Sequence, residues 1–351
     1  MIYPKNLLIV RTDRIGDVVL SLPLAGMIKD RFPECKITFL VRNYTKDIVA
    51  GHPFIDEIII LEEKNGRTKF FQNVENISLK NYDYSIVVYP TFLISLIVFS
   101  AGISKRIGTG YRWYSLLFNK KVFAHRRFAE KHELEFNVDL LKEIDIVKNV
   151  SPGNIAFDLR INEESKKEVE KILLKNGINI EEPIIIVHPG SGGSAVDLPL
   201  TKFNELIILL NTNLKARIIL TGSKSEINLC ESLVTSDEIK NFAGILNLSQ
   251  LTAMISMSDI FISNSTGPIH IAAALGKYVV GFYPKILSCS AKRWGPYSTK
   301  SLIFTPEINC ENCTRGKCEK INCMNSINIK NVFAEINNIY KFIVNNGEIN
   351  A

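Results

Sequence analysis

Leu7-Leu8-Ile9-Val10, then Thr12-Asp13-Arg14-Ile15-Gly16-Asp17, then an amphipathic segment ending near Phe32-Pro33, is the stretch on which the fold turns. An aliphatic run of one strand's length, a polar turn and a helical pattern read, in that order, as strand, loop, helix. The unit recurs. Lys36-Ile37-Thr38-Phe39-Leu40-Val41, Ile58-Ile59-Ile60-Leu61 and Tyr84-Ser85-Ile86-Val87-Val88-Tyr89 are further apolar runs separated by helical patterns. Strands without polar alternation are buried on both faces, as in a parallel, doubly wound sheet.

From about Asn149 to Glu182 the chain turns polar, with Ser151-Pro152-Gly153-Asn154 ahead of a charged stretch from Glu163 to Lys175, the pattern of an interdomain connection carrying one helix. The alternation restarts at Ile184-Ile185-Ile186-Val187 and continues through Ala216-Arg217-Ile218-Ile219-Leu220, Ile260-Phe261-Ile262 and Tyr278-Val279-Val280-Gly281-Phe282. The expectation is therefore an α/β protein of two Rossmann-like domains, residues 1–160 and 161–325. Ligands of such sheets bind beyond the carboxyl ends of the strands, so two domains facing each other would share a central cleft.

The 351 residues carry 42 Lys and Arg against 36 Asp and Glu, a net charge of +6. That balance suits phosphate-bearing ligands or an anionic surface, while nucleic acid calls for a denser basic tract. The N-terminal residues lack the pattern of a secretory signal, and seven cysteines in such a chain point to a reducing, cytoplasmic setting. The longest apolar stretch, Thr91 to Ile103, is shorter than the ~18–20 residues that span a bilayer, and reads as a buried helix or a peripheral membrane contact.

Four stretches carry chemistry. Gly16-Asp17 opens a helix after the first strand, where the carboxylate is either a helix cap or a base able to accept a hydroxyl proton. His188-Pro189-Gly190-Ser191-Gly192-Gly193-Ser194 follows a buried strand and offers amides and hydroxyls without bulk, as phosphate loops do, yet matches neither a P-loop nor a dinucleotide fingerprint. Ser263-Asn264-Ser265-Thr266-Gly267-Pro268-Ile269-His270 opens a small-residue helix whose free amides suit a diphosphate. Cys310, Cys313, Cys318 and Cys323 fall within 14 residues, and are either a structural zinc or iron site with a filled thiolate shell or reduced thiols packed in a loop.

Taken in order, Arg14-Ile15-Gly16-Asp17-Val18-Val19-Leu20-Ser21-Leu22-Pro23, His188-Pro189-Gly190, Phe242-Ala243-Gly244, Ser263 to Gly276 and Arg293-Trp294-Gly295-Pro296 resemble the ADP-heptose:lipopolysaccharide heptosyltransferases of glycosyltransferase family 9 over nearly the whole chain. The resemblance implies a GT-B fold and an inverting, metal-independent transfer of heptose or a related sugar from an ADP-sugar to a lipopolysaccharide-core or similar anionic glycan. It implies Asp17 as general base and a C-terminal domain that holds the nucleotide through Ser191, Gly192, Gly193, Ser194, Glu226, Ser265, Thr266, Gly267, Pro268 and His270. On the acceptor side stand Arg11, Arg14, Arg112 and Lys131, with work at the cytoplasmic face of the inner membrane. A C-terminal helix in residues 326–351 is expected to pack back on the N-terminal domain.

Two departures mark this chain. The cation that many members carry shortly before a Trp-Pro pair is absent from Ala195-Val196-Asp197-Leu198-Pro199, leaving Lys202 or Arg293 as substitutes, and the usual Asp before Thr/Ser-Gly is Ser265. Two other readings stay open: a nucleotide-sugar epimerase of the same layout, and a catalytically weakened nucleotide-sugar binder.

Overall fold

A computed structural model describes residues 3–308 and 313–347 and divides the chain into two compact units, residues 1–160 and 161–351. In chain order the first unit contains β1 (Asn6–Val10), β2 (Lys36–Val41), β3 (Glu57–Ile60), β4 (Glu63–Lys64), β5 (Arg67–Thr68), β6 (Tyr84–Val87), β7 (Lys105–Thr109) and β8 (Lys120–Val122). β4 and β5 form a small hairpin. The other six make one parallel sheet in the order β3-β2-β1-β6-β7-β8. With every strand pointing the same way, the loops after β1, β6, β7 and β8 all emerge at one edge.

The apolar stretch after β6 becomes the helix Phe92–Ser100. The Thr91 hydroxyl accepts from the Ile94 amide at 3.2 Å and so satisfies one of the first free donors. Ile94, Ile97 and Val98 bury against Leu8, Val10, Leu40 and Val87 on one face of the sheet. Phe92, Leu93 and Phe99 remain exposed.

The second unit contains β9 (Ile184–His188), β10 (Arg217–Leu220), β11 (Ile239–Asn241), β12 (Ile260–Asn264), β13 (Tyr278–Phe282) and β14 (Ser301–Phe304), in the order β11-β10-β9-β12-β13-β14. This repeats the first sheet. Counted within its own sheet, each order is 3-2-1-4-5-6, with the reversal between β1 and β6 in one unit and between β9 and β12 in the other.

The last helix, Ile329–Asn346, belongs to the second unit. Capped by the Asn328 side chain and ended by Gly347 at φ +67°, it packs on the helix Leu200–Asn213, and Val332, Ile336 and Ile343 enter the core of the second unit with Phe203, Ile207 and Leu210. Its apolar residues fall at helical spacing, and the neighbouring helix of its own unit offers the surface that covers them. Among the described residues, no helix is long and apolar enough to cross a membrane.

Candidate functional site

In the first unit, Asp17 lies in the short helix Ile15–Val19 just beyond β1, and its side chain does not cap that helix. Its carboxylate instead pairs with the Arg11 guanidinium. Arg11 is 1% exposed and also binds Asp13 at 2.7 Å, Glu133 at 3.7 Å and Asn137 at 3.4 Å. Glu133, itself buried, pairs a second time with Arg126. Burial alone would depress the Arg11 pKa, but Asp13, Asp17 and Glu133 together hold it above its ordinary value. Burial pushes the Asp13 carboxyl up to about 7, with Arg11 pulling it down and Asp17 pushing it further up.

This corrects one expectation. Arg11 is spent inside the protein on carboxylates, so it is not a surface cation for an acceptor; its place is beside Asp17, fixing that side chain. Of the other basic residues expected there, Arg14 and Arg112 are exposed, and Lys131 is exposed but paired with Asp139 at 2.8 Å. Asp13 and Asn137 are members of this cluster that sequence reasoning did not single out.

In the second unit, two loops flank the strand-order reversal. After β9, Ser191 is buried, and Gly192 and Gly193 stand exposed in the left-handed region at φ +55° and +74°, where a side chain would be strained. At Gly190 the constraint is different: a Cβ there would run into the Glu226 carboxylate and displace it. Glu226 accepts from the Ser223 amide and hydroxyl, both at 2.7 Å. Burial works to raise its pKa, but those bonds, His188 and the Gly192 amide bring it below the ordinary carboxylate value. His188 is buried against Thr221, with Nδ1 2.9 Å from the hydroxyl, and burial lowers its pKa to about 4 against the pull of Glu226.

After β12, Ser265 and His270 are buried, and Thr266 and Gly267 half-buried, at the start of the helix Gly267–Ala274. The Thr266 side chain makes no cap, Pro268 needs no hydrogen-bond partner for its nitrogen, and no acid stands in the first turn. Asn264 ties the two loops together by donating to Pro189 O at 2.6 Å and accepting from the Leu198 amide at 2.9 Å. Its buried position at the end of an apolar strand was the signal available in the sequence.

Lys202 lies 3.9 Å from Glu205 and Arg293 stacks on Trp294, and a third cation meets the Gly-rich loop. It is Arg315, from the cysteine-rich segment, donating to Gly193 O at 2.9 Å and Ala195 O at 3.1 Å.

The expected four-thiol metal site is not supported. Cys310 lies outside the described residues, Cys318 and Cys323 form a disulfide, and among the described residues no group of three or more His, Cys, Asp or Glu is arranged to hold a metal ion. Cys313 and Cys289 pack with that pair in a small apolar cluster.

The sequence model of Glycosyltransferase family 9 (heptosyltransferase) matches residues 67–323. A Haemophilus influenzae protein described as "Putative glycosyltransferase" is 30% identical over 343 residues, covering 95% of this chain and 96% of that one. Among solved structures, a family 9 glycosyl transferase from Veillonella parvula superposes with a TM-score of 0.81 at 16% identity, covering 96% of this chain and 97% of the other. The ADP-heptose lps heptosyltransferase II of Escherichia coli gives 0.74 at 21% identity, covering 95% and 98%.

Proposed function

We propose, from the premise that the chain belongs to glycosyltransferase family 9 and is a glycosyltransferase of GT-B architecture, that it transfers a heptose from ADP-heptose to an anionic glycan of lipopolysaccharide-core type at the cytoplasmic face of the inner membrane. The observation that carries this reading is Asp17: a carboxylate at the carboxyl end of β1, unused as a helix cap and fixed by a buried arginine.

In the reaction, Asp17 takes the proton of the acceptor hydroxyl as its oxygen attacks the anomeric carbon. The bond from that carbon to the diphosphate oxygen breaks, and ADP leaves with the electron pair. A single displacement of this kind inverts the anomeric centre. The second unit would hold the donor: the Gly193 amide, the Ser191 hydroxyl and the amides of the helix beginning at Gly267 would receive the diphosphate and stabilise its growing charge, so no divalent ion is called for. Arg315 orients the first of these loops from behind, supplying from the cysteine-rich segment the positive charge that residues 195–199 lack. His270 and Ser265 lie at the same end of β12, and Glu226 would receive a ribose hydroxyl.

The donor follows from a thermal-shift panel of nucleotide sugars, in which ADP-heptose is expected to stabilise the protein most. Product analysis with that donor and extracted core glycolipid then reads the anomeric configuration. Stabilisation by a uridine or guanosine sugar instead, or a product that retains configuration, overturns the reading.

A further inference from the structure

From Tyr84 to Ala129 the sequence holds seven Lys and Arg and no Asp or Glu, while the whole chain has a net charge of only +6. The excess positive charge of the protein is thus concentrated in one stretch of the first unit. That stretch also holds the most exposed aromatic side chain of the unit's sheet edge, Trp113 at 73%, with Leu116 at 71% and Phe123 at 65%.

The topology places these residues together. Phe92 and Leu93 follow β6, Trp113 and Leu116 lie in the turn of helix after β7, and Phe123 and Phe128 follow β8, all at the carboxyl edge of one parallel sheet. They are in ring contact rather than scattered. Phe92 packs on Trp113 with centroids 4.7 Å apart, Tyr111 meets Phe123 at 5.4 Å and stacks on His125 at 3.5 Å, and His125 meets Phe128 at 5.5 Å. Arg127 lies over Phe128 at 4.6 Å, and Lys121 and Arg112 are exposed beside them.

We infer that this edge, spanning the loops after β6, β7 and β8, is a docking surface for an anionic lipid bilayer. Aromatic and aliphatic side chains held in exposed ring contacts suit the headgroup boundary, where an apolar body and a polar rim are both satisfied. Arg126 and Lys120 pair with Glu133 and Glu143 from outside the stretch, and the exposed Arg112, Lys121 and Arg127 are the charges that attract anionic lipid. The loop after β1, with Asp17, opens at the same edge of the same sheet. Docking there brings the base toward the surface in which a lipid-linked acceptor sits. The inference rests on the acceptor reading given above and extends it from the glycan to the membrane.

The test is co-sedimentation of the full chain with phosphatidylglycerol/phosphatidylcholine vesicles and with pure phosphatidylcholine vesicles. Binding to the mixed vesicles only, weakened by salt, is expected, with a blue shift of tryptophan emission that Trp113→Phe abolishes. Trp113→Ser with Leu116→Ser is expected to reduce partitioning on the order of tenfold, and Lys121→Gln with Arg127→Gln about thirtyfold. Both pairs should keep the parent melting temperature and transfer to a deacylated, water-soluble acceptor. No binding to anionic vesicles, equal binding to both vesicle types, or unaltered binding by the variants overturns the inference. So does a dimer in sedimentation velocity that Trp113→Ser dissociates, because a second copy would then cover the face. Vesicle binding without transfer from any nucleotide sugar overturns the transferase reading and leaves the surface standing.

Discussion

The loop after β1 has its counterpart in the loop after β9, which the loop after β12 adjoins, in two sheets of identical strand order, yet their chemistry is opposite. The first is crowded with charge: Asp13, Asp17 and Glu133 converge on one buried arginine. The others present glycines, hydroxyls and a helix N-terminus without an acid, with the Arg315 guanidinium turned to carbonyl oxygens. A repeated fold therefore supplies one end suited to moving a proton and another suited to holding a diphosphate. Strand order alone would not distinguish them.

The largest expected effect falls on the charged loop. Asp17→Asn should lower kcat by about 10²–10⁴ while the stabilisation given by ADP-heptose is unchanged; residual turnover near the parent value would break the division of labour. Arg11→Met leaves Glu133 and Asp13 buried without their shared cation, and should cost about 3–5 kcal/mol of stability in denaturant unfolding. On the uncharged side, Gly190→Ala should raise the donor KM on the order of tenfold or more, because the new methyl displaces the loop from Glu226. Combining it with Glu226→Ala should recover part of that loss, a coupling that two independent sites would not show. Arg315→Ala should raise the donor KM by roughly tenfold with kcat and the acceptor KM retained, as expected for two charge-assisted hydrogen bonds that position a loop.

The smallest effect is in the pH dependence of stability, where the two loops should slope in opposite directions. Asp13 has its pKa raised to about 7, so the stability linked to it is present at low pH and is lost as pH rises through about 7. His188 has its pKa lowered to about 4, so its contribution is present above its ordinary value of 6.5 and is lost as pH falls through about 4. Melting temperatures of Asp13→Asn and His188→Gln between pH 4 and 8 check both signs. Asp13→Asn should flatten the alkaline fall and His188→Gln the acid one.

The central strands were legible because they are buried on both faces and therefore continuous in apolar residues, as in Leu7 to Val10 and Ile184 to Val187. β7, β8, β11 and β14 were not, since Lys105-Arg106-Ile107-Gly108-Thr109 and its like are only partly covered and carry polar residues. The buried role of Arg11 was hidden because Asn137 and Glu133, which make it tolerable, lie more than a hundred residues away. For the cysteines, spacing suggested a tetrahedron. The helix Arg315–Ile321 and the left-handed Asn322 at φ +50° instead turn Cys323 back on Cys318.

The position of the helix Ile329–Asn346 has a consequence for the order in which the protein is made. The first unit has all of its residues by position 160, whereas the core of the second awaits Val332, Ile336 and Ile343. On the ribosome the first unit can fold while the other is still being translated. The second unit completes its core only once the helix Ile329–Asn346 has emerged, so a message cut short ahead of that helix yields one finished core and one that cannot close.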